Sequence, residues 1–107
     1  MPKPLGEFEI TVMAAVMHLG DEAYGARIQS EIETRGNRTA AIGAIYTTLS
    51  RLESKGLVAS NLGEPTAVRG GRPKRFFLIT PKGETVFRNS VASLGNMLKG
   101  LQAWPAT

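Results

Sequence analysis

Apolar residues return at helical spacing along most of the chain. Leu5, Phe8, Val12, Ala15, Val16 and Leu19 share one face, and LGEFEITVMAAVMHL reads as a first helix. Gly20 ends it and Asp21-Glu22 makes the turn. A shorter helix is predicted from about Tyr24 to Arg35, with Ile28 and Ile32 one turn apart, and Gly36-Asn37 stops it. After an extended link, Arg38-Thr39-Ala40, the stretch AIGAIYTTLSRLESKG carries a third stripe of Ile42, Ile45, Leu49 and Leu52, closed by Gly56. The pattern then changes. LVASNL and KRFFLI read as two strands of a hairpin whose long loop is rich in Gly, Pro and Arg. Thr80 suits an N-cap and Pro81 the first helical position, so a last helix is predicted from about Pro81 to Gln102. In it Phe87, Val91, Leu94, Leu98 and Leu101 recur at intervals of 4, 3, 4 and 3, a heptad seam suited to pairing with another helix.

The polar faces differ from one helix to the next. Away from its stripe, the third helix carries Gly43, Thr47, Ser50, Arg51 and Ser54, which are small or hydroxylic apart from one arginine. An ordinary solvated face carries Glu and Lys pairs. A face so low in acid and bulk lets another molecule approach closely. The loop sequence Arg69-Gly70-Gly71-Arg72-Pro73-Lys74-Arg75 concentrates four cations in seven residues.

Charge reinforces this contrast. The chain has 107 residues and a net charge of +4. Residues 1–33 hold six acids against Lys3 and Arg27, a net of −4; residues 34–82 hold nine cations against Glu53 and Glu64, a net of +7; the remainder adds +1. A basic stretch focused in this way is the footprint of a polyanionic partner.

The order helix, helix, helix, strand, basic loop, strand, helix gives a mainly α (α+β) class: a winged helix-turn-helix with a C-terminal dimerisation helix. Residues 1–80 are expected to form the DNA-binding domain, and 81–107 the dimerisation helix and tail. A third helix of this kind enters a major groove, where Thr47 and Ser50 can bond phosphates or base edges and Arg51 can reach a phosphate. The loop is the wing, with Arg69, Arg72 and Lys74 offered to the backbone and the glycines permitting close approach. Strand alternation points one of Lys74 and Arg75 toward the nucleic acid and the other away. Leu5 and Phe8 of the first helix are expected to help the last-helix seam, because one small domain offers too little surface to cover both apolar helices.

The sequence also resembles the short PadR-like transcriptional regulators. The resemblance rests on LGEFE, GDEAYGARIQSEIE, GAIYTTLSRLESKGLV, LGEP and GGRPKRFFLITPKG, in that order, over most of residues 5–83. It implies a dimeric DNA-binding protein of repressor type. It also implies a contact set of Tyr24 and Gly25 at the second helix, Gly43, Tyr46 and Thr47 on the third, and Gly70, Gly71 and Arg72 in the wing. Two departures stand out. Longer relatives append a second helical domain. Some short relatives carry a drug-clamping tryptophan in the middle of the last helix, where this chain has Leu94; its only tryptophan is Trp104. A different small apolar effector between subunits stays open.

Other chemistry finds little support. The chain has no cysteine, which removes disulfides and thiolate chemistry and suits a reducing compartment. His18, the sole histidine, has no partners for a catalytic triad or a metal site, and Gly70-Gly71 lies between strands instead of opening a phosphate-binding helix. Glu31 and Glu33 fall on different helix faces. No catalytic residue, cofactor or metal is expected, nor a membrane span or signal peptide, and the expected location is cytoplasmic. The competing reading from another class is a winged-helix module whose basic loop binds an acidic protein. An RNA-binding role ranks lower for want of interleaved aromatics.

Overall fold

A computed structural model of the chain describes residues 3–63 and 74–101. Helix α1 spans Glu7–Leu19, α2 Gly25–Arg35, α3 Ile42–Ser54 and α4 Pro81–Leu98; strands β1 (Val58–Leu62) and β2 (Arg75–Ile79) precede α4. The order agrees with that predicted. Glu9 reaches back to accept a hydrogen bond from the Gly6 N–H (2.9 Å), half of a capping box at the start of α1. Gly20–Glu22 forms one 3-10 turn before α2.

Val12, Met13, Ile28, Ile45, Leu49 and Leu52 are fully excluded from water, and Phe77 and Val86 close the core from the sheet and from α4. Burial of each large aliphatic side chain stabilises the fold by about 1.5–3 kcal/mol before ordering costs. One position of the α3 stripe differs from expectation. Ile42 is exposed and Thr48 is buried. Ile42 is the first residue of its helix, and the buried residue just ahead of it is Ala40. Thr48 completes the inward face of Ile45, Leu49 and Leu52 at helical spacing. Of the methionines, Met13 is core, while Met17 and Met97 lie at the surface.

The strands pair antiparallel, with Val58 opposite Ile79 and Leu62 opposite Arg75. The sheet has a third, unpredicted contributor. Tyr24 bridges to Phe76, and the Phe77 N–H donates to the Ala23 carbonyl at 2.9 Å. That pairing fixes the entry to α2 against the hairpin.

Thr80 joins α3, the sheet and α4. Its Oγ1 accepts from the Gly83 N–H (3.0 Å) as the predicted N-cap and donates to the Gly56 carbonyl (2.7 Å), while its own N–H donates to the Leu57 carbonyl (3.1 Å). Gly83 sits so close to this junction that a Cβ there would lie 2.0 Å from the Leu57 carbonyl oxygen. The first half of α4 is thereby built into the core. Its helix ends at Leu98, short of the predicted Gln102, because Lys99 is extended and Gly100 adopts a positive φ of 79°.

Candidate nucleic-acid interface

Gly43, Thr47, Ser50, Arg51 and Ser54 lie exposed on α3, as the polar pattern predicted, and Tyr46 lies exposed among them. Their backbone is held from behind by Ile45, Thr48, Leu49 and Leu52. The Gln29 side-chain amide also donates to the Ala40 carbonyl (2.8 Å), tying α2 to the lead-in of α3.

Tyr46 is the bulky exception on this small face. Its ring is 44% exposed and packs at a tilt against Phe77, with centroids 6.4 Å apart. Its hydroxyl end lies over Gly25, where a Cβ would come within 2.1 Å of Oη and 2.6 Å of Cζ. Gly25 is buried, so its backbone forms the seat on which Tyr46 rests. The neighbouring Tyr24 is half-buried and meets Phe76 edge-on (5.5 Å between centroids, 75° between planes). The Lys74 ammonium lies over the Tyr24 ring, 4.2 Å from its centroid. The contacts from Lys74 to Tyr24, and from Gly25 next to it to Tyr46, join the root of the hairpin loop, the start of α2 and the open face of α3 into one continuous surface. Arg75 points elsewhere and donates to Ser60 Oγ (3.0 Å), which donates in turn to Glu53 (2.8 Å). Lys74 and Arg75 thus diverge, as strand alternation requires.

Folding redistributes the charge seen along the chain. Glu7 pairs with Arg38, Glu9 with Lys55 (3.0 Å), and Glu31 with Arg35. Arg38 also lies 5.1 Å over the Phe8 ring. Acids of the first third therefore neutralise three cations of the basic stretch. Partial burial pushes the Glu9 carboxyl up, but the Gly6 N–H, the Lys55 ion pair and the Arg51 charge together hold it below its ordinary value. Among the described residues no ion pair involves Arg51 or Lys74, so the remaining positive charge of this surface is carried where α3 and the hairpin root are open to solvent.

A family model, described as the transcriptional regulator PadR-like family, matches residues 15–89. The chain belongs to the PadR-like family of transcriptional regulators. Solved structures agree in fold. A PadR-like transcription factor from Bacteroides fragilis superposes with a TM-score of 0.73 at 24% identity, over 86% of this chain and 84% of that one. A PadR family transcriptional regulator from Eggerthella lenta does so with a TM-score of 0.68 at 27% identity, over 84% and 76%. Bacillus subtilis PadR, solved in complex with operator DNA, gives 0.62 at 18% identity; it covers 94% of this chain, which spans only 51% of that protein. No curated protein matches.

On this PadR-like scaffold the predicted seam residues of α4 separate. Phe87 and Leu98 are half-buried, Val91 and Leu94 are exposed, and Leu101 lies exposed beyond the helix end. Leu5 and Phe8 pack against the core, and the Leu5 N–H donates to the buried Ser90 Oγ (3.0 Å). A groove of about 560 Å³ runs beside that contact, lined by Lys3, Pro4, Val86, Asn89 and Ser93 among others. Arg69, Gly70, Gly71 and Arg72 of the predicted contact set, and Trp104, lie outside the described residues. His18 is exposed, and no cluster of metal-ligating side chains occurs among the described residues. Nor is any described helix long and apolar enough to cross a membrane. The sequence pattern assigns no site role to Phe76 or Gly63, which meet at the root of the hairpin loop. A large aromatic next to the core Phe77 was the only available signal for Phe76.

Proposed function

We propose that this transcriptional regulator binds double-stranded DNA as a homodimer, acts as a repressor at a pseudo-palindromic operator, and carries no catalytic role. The open α3 face, continued by Tyr46 (seated on the buried Gly25) and by Tyr24 with Lys74 at the hairpin root, carries the reading. The Bacillus subtilis relative bound to operator DNA supports it. In the proposed complex α3 lies in a major groove. Thr47 and Ser50 read base edges or phosphates, Gly43 lets the helix sit deep, and Arg51 takes a phosphate. Tyr24 and Lys74 reach the flanking backbone, and Arg69, Gly70, Gly71 and Arg72 grip beyond it. Val91, Leu94, Leu98 and Leu101, with Phe87, Leu5 and Phe8 behind them, form the subunit contact that spaces the two α3 helices. Residues 1–80 then read DNA and 81–107 set the spacing, although the first half of α4 shares the core of the reading domain. A small apolar effector that binds one spacing better than another would release the operator.

Selection of bound duplexes from a random DNA pool tests this reading. The expected product is a palindromic motif with arms about one helical turn apart. Preference for it over scrambled duplex should be roughly a thousandfold or more. Recovery of nothing above background would refute sequence-specific reading and leave the acidic-protein partner as the explanation of the basic loop. In the same assay Arg72→Ala should weaken all duplexes alike and flatten the salt dependence by about one unit per lost phosphate contact.

A further inference from the structure

Phe76 occupies a place in the sheet that the core does not need. Its neighbour Phe77 points into the core and is 5% exposed, so alternation sends Phe76 to the opposite face with the exposed Leu78 and Asn61. There it is nonetheless half-buried, between two groups. On one side is the Tyr24 ring, met edge-on and reinforced by the backbone bridge between the same two residues. On the other is Gly63, where a Cβ would lie 2.5 Å from Cε1 of the Phe76 ring and 3.1 Å from Cδ1. Gly63 also donates its N–H to the Lys74 carbonyl at 2.7 Å, closing the two stems of the hairpin loop on each other. The Lys74 side chain returns over Tyr24. One aromatic ring therefore touches the outgoing stem of the loop and braces the tyrosine that carries the ammonium of the returning stem.

We propose that Phe76 is a positioning residue for DNA binding, seated between Gly63 and Tyr24 so that the loop root and the Lys74 ammonium are fixed relative to α2 and α3 before DNA arrives. This rests on the DNA-binding reading above. Groups already ordered in the free protein need not be ordered on association, and preorganisation of this kind raises affinity without adding a contact. Phe76 itself faces Tyr24 and Gly63, so its loss should lower affinity for every duplex while leaving the order of preference, set on α3, unchanged.

The test uses the full chain with Phe76→Ala, Phe76→Tyr and Gly63→Ala. In the protein alone, the Lys74 ε-methylene protons should resonate upfield in the wild type, shielded by the Tyr24 ring. That shift should collapse in Phe76→Ala and persist in Phe76→Tyr. Against selected and scrambled duplexes, Phe76→Ala should bind about tenfold more weakly to both, roughly the cost of ordering one or two side chains. Phe76→Tyr should restore binding. Gly63→Ala, which keeps Phe76 but displaces its ring, should reproduce the loss and covers the case in which Phe76→Ala does not fold. An unchanged Lys74 shift in Phe76→Ala would overturn the seat itself. Unchanged affinity, beside a wild type that selects a motif, would overturn the positioning role alone. A wild type that selects no motif would overturn the DNA reading and the positioning role with it, and the Lys74 shift would still report whether the seat exists.

Discussion

Gly25→Ala isolates the contact that seats Tyr46. The added methyl would stand 2.1 Å from Tyr46 Oη, 2.6 Å from Cζ and 3.0 Å from Cε2, all far inside van der Waals separation. Gly25 sits in the first turn of α2 under a neighbour that must move, and the Tyr46 ring is 44% exposed. The ring can therefore swing outward, so the cost falls at the low end of the overpacking range, about 1–2 kcal/mol. Replacing glycine within a helix returns up to about 1 kcal/mol of that. The net loss should lie between nil and about 2 kcal/mol, and each 1 kcal/mol lowers Tm by about 4–8 °C for a domain of this size. DNA binding should suffer more than stability, because the displaced ring projects from the face proposed to enter the groove. The decisive assay is a double-mutant cycle at fixed protein concentration, measuring Tm and duplex affinity for Gly25→Ala, Tyr46→Ala and both together. With Tyr46 truncated there is nothing to strike, so Gly25→Ala should become neutral or slightly stabilising. An equal loss of stability from Gly25→Ala with and without the Tyr46 ring would refute the reasoning and assign the glycine to backbone geometry or to direct contact.

Three further outcomes follow from the same geometry. Gly83→Ala drives a methyl to 2.0 Å from a backbone carbonyl that cannot rotate away, so it should destabilise by about 3 kcal/mol or more, seen as a large loss in denaturant midpoint, against less than 1 for Gly43→Ala, whose Cβ would meet open space. Leu94→Glu alters a side chain that is 57% exposed in the single chain, so native mass spectrometry should find a folded monomer; a persistent dimer would remove the α4 seam from the proposed subunit contact. The Glu9 carboxyl titrates below its ordinary value of 4.5 in the folded chain, so its contribution is present above that pH and is lost as pH falls through the lower folded value. Glu9→Gln should accordingly lower stability at neutral pH and flatten the acid limb of a stability–pH curve; an unaltered limb would show that the Lys55 pair contributes nothing measurable.

The elements were legible because each has a strong local cause. Periodicity set the four helices, Thr80-Pro81 set the start of α4, and the change to β-favouring residues flanking a Gly- and Pro-rich stretch set the hairpin. Ile42 read as core because a stripe records spacing alone, whereas burial also needs a neighbour over that turn. The small, acid-poor face of α3 was legible for a different reason: nothing in helix formation asks for Gly43, Thr47 and Ser50 together.

What the sequence could not hold was the meeting of residues distant along the chain. Glu7 and Arg38, or Glu9 and Lys55, read as opposite ends of a charge gradient until the fold pairs them, and exposed pairs of this kind contribute little stability while consuming charge. The basic character of the interface therefore rests on fewer groups than the net of residues 34–82 suggests. Gly25 and Phe76 have no pattern of their own. One is a glycine near a helix start and the other an aromatic in a strand, and each acquires a role only from what packs against it. The chain by itself determined which segments are helix or strand and which face of α3 is left open. Tertiary structure decided that Lys74, Tyr24 and Tyr46 share one surface, with Gly25 buried beneath it, because close packing between non-adjacent segments is a property of the assembled core and is not encoded at any single position.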